Sequence, residues 1–191
     1  SAEAHFCLNL DTKYADQQLR TTIVLPKGSG KEIKIAVLLP DVDNPQMILD
    51  KGAAIVGSDD LIETISKGNL NFDLLLTTPE MMPRLTKLGK VLGPRGLMPS
   101  TKAGTVTTDI DSALAEFKAG KVECRADKTG VVHILFGKTN FTEEDLLENL
   151  TAVFNSIKQY RPSGVKGKYF KTLKICTTMG PSLNIDLSTL V

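Results

Sequence analysis

The spacing of apolar residues changes twice along this chain, and that change limits the fold more than any single motif. Residues 3–10 alternate strictly, with Ala4, Phe6, Leu8 and Leu10 on one side and Glu3, His5, Cys7 and Asn9 on the other. This is the pattern of a strand with one buried and one free polar face. A second strand over 21–25 stops at Pro26. Residues 33–39 are then apolar apart from Lys34, as in a strand covered on both faces. Helices and strands alternate from there. A helix capped by Asn44 with Pro45 at its first position runs to about residue 51, and a short strand spans 54–56. Ser58 caps a helix that runs to Gly68, and 73–77 form an apolar strand. Thr78-Pro79-Glu80 starts a helix that Pro83 shortens or kinks, 105–107 form a brief strand, and Asp111 caps a helix burying Leu114 and Phe117. Such alternation predicts a parallel sheet with helices on its faces.

Beyond Gly120 the earlier pattern returns. Strands over 121–126 and 131–136 predict a hairpin around Asp127-Lys128-Thr129-Gly130. Thr142 caps a helix with Glu143, Glu144 and Asp145 in its first turn and a buried stripe of Leu146, Leu147, Leu150, Phe154 and Ile157. In the last strand, 168–177, Tyr169, Leu173 and Ile175 fall on one side and Lys168, Thr172, Lys174 and Thr178 on the other. Glycine-rich joints at 28–30 and 119–120 mark the two changes of period. The predicted fold is therefore an α+β outer domain, residues 1–29 and 119–191, interrupted by an inserted α/β domain with a parallel sheet, residues 30–118.

A chain of 191 residues suits two such units. No apolar run approaches membrane-spanning length, and no signal or transit segment is present. The first residue, Ser1, already lies in a strand pattern and is not Met, so further residues are expected upstream. Cys7, Cys124 and Cys176 are odd in number and lack CxxC spacing, which indicates neither a disulfide framework nor a zinc motif and fits a reducing compartment. The net charge of +1 conceals a local excess. Residues 31–118 carry 10 basic and 12 acidic side chains, whereas residues 119–191 carry 10 and 7. Within the latter, Lys158, Arg161, Lys166, Lys168, Lys171 and Lys174 follow one another with no acid between them.

The stretch 88–108, LGKVLGPRGLMPSTKAGTVTT, is so rich in Gly, Pro and Lys that neither helix nor central strand is expected to run through it. It reads as a functional or architectural loop, either a solvated connector or a phosphate-facing loop. The GSGK run at 28–31 fails as a Walker A loop, because Leu25 stands where its first Gly belongs and Glu32 where Ser or Thr belongs. No GxGxxG follows the first strand of the α/β region, and no GxSxG is present. His133 sits in an apolar strand pattern and reads as a structural residue. Two separated strands do present polar, partly basic faces, and the last leads into Thr178-Met179-Gly180. That combination suits RNA, which proteins recognise through shape, sugar hydroxyls and phosphates.

At this point the sequence resembles the ribosomal protein L1 family, the stalk proteins of the large ribosomal subunit. The resemblance rests on the 88–106 stretch, DKTGVVH at 127–133, DQQLR at 16–20 with VLPKGSGK at 24–31, and TTMGPS at 177–182. It departs at Ser100-Thr101, where members carry Asn-Pro. The resemblance implies a Rossmann-like domain inserted in an α+β domain that binds large-subunit ribosomal RNA. By the same resemblance the RNA contacts fall on Glu3, Thr172, Thr178, Met179 and Gly180, to which the basic run adds Lys168, Lys171 and Lys174. It also implies an N-terminal helical segment touching RNA, and a lineage of plastid or cyanobacterial type. The implied function is that of a monomer within the ribosome, in a plastid stroma or bacterial cytoplasm, that helps release deacylated transfer RNA from the exit site and can repress its own messenger RNA. Neither a cofactor nor a metal is expected, nor catalysis. The competing reading is a nucleotide- or metabolite-binding α/β enzyme using the loop 88–106.

Overall fold

The computed structural model describes residues 1–40 and 45–187. In chain order the elements are β1 (Ala2–Leu8), β2 (Arg20–Val24), β3 (Ile35–Leu38), α1 (Pro45–Asp50), β4 (Ile55–Gly57), α2 (Asp59–Ser66), β5 (Leu74–Thr77), α3 (Met82–Thr86), α4 (Gly89–Leu92), α5 (Ile110–Lys118), β6 (Lys121–Arg125), β7 (Val131–Gly137), α6 (Glu143–Gln159), β8 (Phe170–Thr177) and β9 (Leu183–Ile185). They belong to two compact units, Ser1–Lys31 with Ala119–Val191, and Glu32–Lys118.

The unit Glu32–Lys118 is built on a parallel sheet of order β4-β3-β5. Its central strand β3 is buried on both sides, as its unbroken apolar run requires. Ala36 and Leu38 pack with Leu61, Ile65, Leu75, Leu85 and Leu92, while Ile35 and Val37 pack with Leu76, Ile110, Leu114 and Phe117. Fully burying each large aliphatic side chain contributes roughly 1.5–3 kcal/mol. The expected cap Asn44 lies outside the described residues, and Pro45 opens α1. Ser58 precedes α2 but makes no side-chain capping bond.

Two further expectations are corrected in this unit and a third is extended. Asp111 lies inside α5, where it accepts a hydrogen bond from Lys51 Nζ at 2.6 Å, and Asp109 does the capping. Asp109 Oδ1 accepts the Ser112 N–H at 3.2 Å and Oδ2 the Ser112 hydroxyl at 2.6 Å, bonds that hold its carboxyl below the usual range. The strand expected at 105–107 is only a parallel bridge of Val106 to Thr77. No helix or central strand runs through the 88–108 stretch, but it is not only a loop: it contains the single turn α4, with Leu88 and Leu92 buried in the core and Leu97 and Met98 packed against it. Four residues suffice for one turn, so the glycines and prolines bound it rather than prevent it. Lys87, Lys90, Arg95 and Lys102 stay exposed around this packed segment.

The other unit carries an antiparallel sheet of order β7-β1-β8-β9 and a separate antiparallel pair, β2 with β6. The expected 121–136 hairpin does not form as a ladder. Asp127 does close a tight turn, its Oδ1 accepting N–H groups from Thr129 and Val131. Beyond a single Ala126–Val132 bridge, however, β6 pairs along β2 and β7 along β1. A turn fixes only local geometry, and the longer ladders satisfy more backbone groups and bury more apolar surface.

Helix α6 begins as expected, with Thr142 Oγ1 accepting the Asp145 N–H at 3.2 Å. Its buried stripe is Leu150, Val153, Phe154 and Ile157, with Leu146 partly covered. Leu147, expected in that stripe, is 60% exposed although it stands three residues before Leu150, because at about 100° per residue it falls at the outer edge of the buried arc. The fully buried Asn149 takes a place that apolar periodicity does not reveal.

Candidate nucleic-acid interface

Helix α6 covers one face of the four-stranded sheet with the core that includes Ala4, Phe6, Leu8, Val132, Ile134 and Leu173. Residues directly opposite in neighbouring strands share a face. The other face therefore carries three cross-strand rows: Val131, Cys7 and Thr172; His133, His5, Lys174 and Asn184; and Leu135, Glu3 and Cys176. The polar side of β1, read from alternation alone, becomes one line of a surface three strands wider.

The rim of that surface is the turn after β8. Gly180 N–H donates to the Thr177 carbonyl at 3.1 Å, and Met179 stands 97% exposed at the apex. A Cβ on Gly180 would run into the Thr177 hydroxyl, which gives this glycine a reason internal to the turn. Ser1 Oγ lies 2.6 Å from Thr178 Oγ1 and donates to Glu3 Oε1 at 2.7 Å, so one hydroxyl links Glu3 to the turn. Glu3, Thr172, Lys174, Thr178, Met179 and Gly180, all named from the sequence, are thus gathered on one face and its rim.

Lys168 and Lys171 are not with them. Register slips between Cys7, opposite Thr172, and Leu8, opposite Phe170, leaving Lys171 as the extra residue of a bulge. The slip turns Phe170 toward the core, where it stacks on Phe154 with ring centres 4.7 Å apart. Lys168 and Lys171 instead line a groove of about 620 Å³ with Phe154, Lys158, Arg161 and Tyr169. Uninterrupted alternation had placed Lys168 with Thr172 and Lys174.

His133 is also corrected. It is exposed on the polar face, not part of the apolar pattern of β7, and its Nδ1 lies 2.8 Å from His5 Nδ1. His5 Nε2 in turn lies 3.1 Å from Cys176 Sγ, and His133 Nε2 lies 3.6 Å from Asp127 Oδ2. Burial raises the Asp127 carboxyl pKa, but hydrogen bonds from the Thr129 hydroxyl and the Val131 and Thr129 amides outweigh it and hold the group below its usual value. The only signal of this chain of side chains was DKTGVVH, whose Asp and His lie six residues apart; its partners on β1 and β8 come from far along the sequence.

The chain thus combines a parallel α/β unit with an α+β unit whose sheet carries one polar face, an arrangement compatible with the fold of ribosomal L1 proteins. The match is direct: residues 1–181 fit the model of the Ribosomal protein L1p/L10e family, and the chain belongs to that family. It is 63% identical over 188 residues to the large ribosomal subunit protein uL1c of Trieres chinensis, covering 98% of this chain and 81% of that protein. It is 57% identical to uL1c of Cyanidium caldarium and 57% identical to uL1 of Prochlorococcus marinus strain MIT 9515, each across 98% of this chain and 78% and 80% of those proteins. The chain is thus a protein of the large ribosomal subunit, of a structural family rather than an enzyme family, from a plastid or bacterial ribosome. Among the described residues no helix is long and apolar enough to cross a membrane.

Proposed function

We propose that the chain binds large-subunit ribosomal RNA through the uncovered face of the four-stranded sheet and the turn at its rim. The observation that carries this reading is Met179, almost wholly exposed between Gly180 and Thr178, the latter linked through Ser1 to Glu3. An unbranched thioether held out in water is poorly explained by packing and well suited to lie against a sugar or base. Lys174 supplies a cation on the same face, one row from the Thr172 hydroxyl, a group able to donate to phosphate and sugar oxygens.

On this reading Glu3, Thr172, Thr178, Met179 and Gly180 form the core of the contact and Lys174 its electrostatic support. Lys168 and Lys171 reach phosphates from the side of the groove. The unit Glu32–Lys118, with its slight acidic excess, acts as an inserted domain that leaves RNA affinity to the other unit. Once anchored at the stalk, the protein assists release of deacylated transfer RNA from the exit site, and the same RNA surface serves repression of its own messenger RNA. The test is the dissociation constant of Met179→Asp for a stalk RNA fragment. A carboxylate at the apex meets phosphate repulsion and loses the apolar contact, so a folded variant is expected to bind at least tenfold more weakly, about 1.4 kcal/mol. Binding equal to the parent's would remove the turn from the interface.

A further inference from the structure

We infer that Glu3, His5 and Cys176 form a binding site for one divalent transition ion of the zinc type. Glu3 and His5 are two residues apart on β1 and so project from one face, and Cys176 stands directly opposite Glu3 on β8. One donor atom from each lies within 4.8 Å of the other two, and all three side chains are half-buried and open to that face. Donors around tetrahedral zinc stand roughly 3.5 Å apart at bond lengths of about 2.0–2.3 Å, so small side-chain rotations complete the site. A thiolate, an imidazole and a carboxylate select zinc-like ions over magnesium or calcium. The absence of CxxC spacing concealed the site, because its ligands converge only across strands.

The neighbours of His5 favour the ligating tautomer. The Asp127 carboxylate, 3.6 Å from His133 Nε2, favours a proton on that nitrogen, and with this tautomer His133 Nδ1 accepts the N–H at His5 Nδ1, 2.8 Å away. In that arrangement the lone pair of His5 is on Nε2, facing the Cys176 thiol at 3.1 Å. On binding, the ion takes the Nε2 lone pair and the sulfur, and the thiol proton leaves to solvent. His133 and Asp127 form the outer chain that orients a ligating histidine. Three protein ligands leave a fourth position for water or another oxygen donor.

The test is cobalt titration of the metal-free full chain under anaerobic conditions, read by the near-ultraviolet thiolate-to-cobalt band and the visible bands of tetrahedral cobalt. It uses protein alone and so stands apart from the RNA reading. Saturation at one ion per chain, with displacement by zinc, is expected. Cys176→Ser should lose the thiolate band, and Cys7→Ser should keep it. His133→Phe should keep the band while weakening affinity roughly 10- to 100-fold. His5→Gln provides a second ligand variant should Cys176→Ser fail to fold. The site is overturned if the folded parent shows no saturable thiolate band. It is equally overturned if the band survives at parental affinity in folded Cys176→Ser or His5→Gln, or if it vanishes in folded Cys7→Ser.

Discussion

Asn149, inside α6, donates from Nδ2 to the carbonyl of Gly28 at 3.1 Å, although 121 residues separate them. The same amide nitrogen donates to the Phe136 carbonyl at 2.9 Å, and Oδ1 accepts the Lys27 N–H at 3.1 Å. One fully buried side chain thus satisfies three backbone groups at the 27–28 turn and the end of β7. Asn149→Ala leaves them without partners, at a cost of roughly 1–3 kcal/mol per group left buried and unpaired. Urea unfolding should show that loss as a lower midpoint, with RNA affinity of the folded fraction unchanged.

Lys174 and Lys171 should separate in a salt titration. Lys174 lies on the polar sheet face and Lys171 at the bulge beside the groove. Lys174→Ala should lower the log–log salt dependence of RNA binding by about 0.7–0.9, the contribution of one neutralised phosphate, and Lys171→Ala by less. Equal slopes for parent and Lys174→Ala would take that face away from phosphate.

Asp127 makes stability depend on acid. Its folded carboxyl titrates below its unfolded value, so its contribution is present above the unfolded pKa and is lost as pH falls through the folded one. The melting temperature of Asp127→Asn should lie below the parent's at neutral pH. The gap should close as pH drops through and below the ordinary carboxylate range. A gap constant with pH would mean that the loss comes from altered turn geometry and not from the ionised carboxylate.

The three thiols should differ sharply in reactivity. Cys124 is fully buried, and burial with Glu123 nearby pushes its pKa up to about 12, while Cys7 and Cys176 are half-buried. Alkylation of the native chain at neutral pH should label only Cys7 and Cys176, with Cys124 labelled on unfolding. Mass spectrometry of the digested protein reads this directly.

Much of this was legible in the residues. The alternation of β1 named both its faces, Thr142 announced α6, and the unbroken run at β3 announced a strand buried on both sides. The misreadings share a physical cause. Period two cannot foresee a bulge, so Lys168 was assigned to the face of Thr172. Turn chemistry at Asp127 cannot say which distant strand will win β6 and β7, so a hairpin was expected. His133 looked apolar by its neighbours, because the row that gives it a purpose is assembled from β1 and β8. Asn149 breaks the apolar stripe and is explained only by carbonyls brought to it in three dimensions.

The pairing of β1 also sets an order of events during synthesis. β1 is made before every other described element, yet its two neighbours are β7, beginning at Val131, and β8, ending at Thr177. The unit Glu32–Lys118 closes its own sheet within that interval and can fold as it emerges, since domains generally fold as units in the order they are made. The first strand meanwhile waits with Ala4, Phe6 and Leu8 uncovered and both its edges unpaired, the condition in which strands recruit wrong partners. The proposed RNA surface is therefore the last part of the molecule to be completed, and a nascent chain stalled before residue 170 holds a finished second unit and only the β1 and β7 strands of the sheet on which that surface forms.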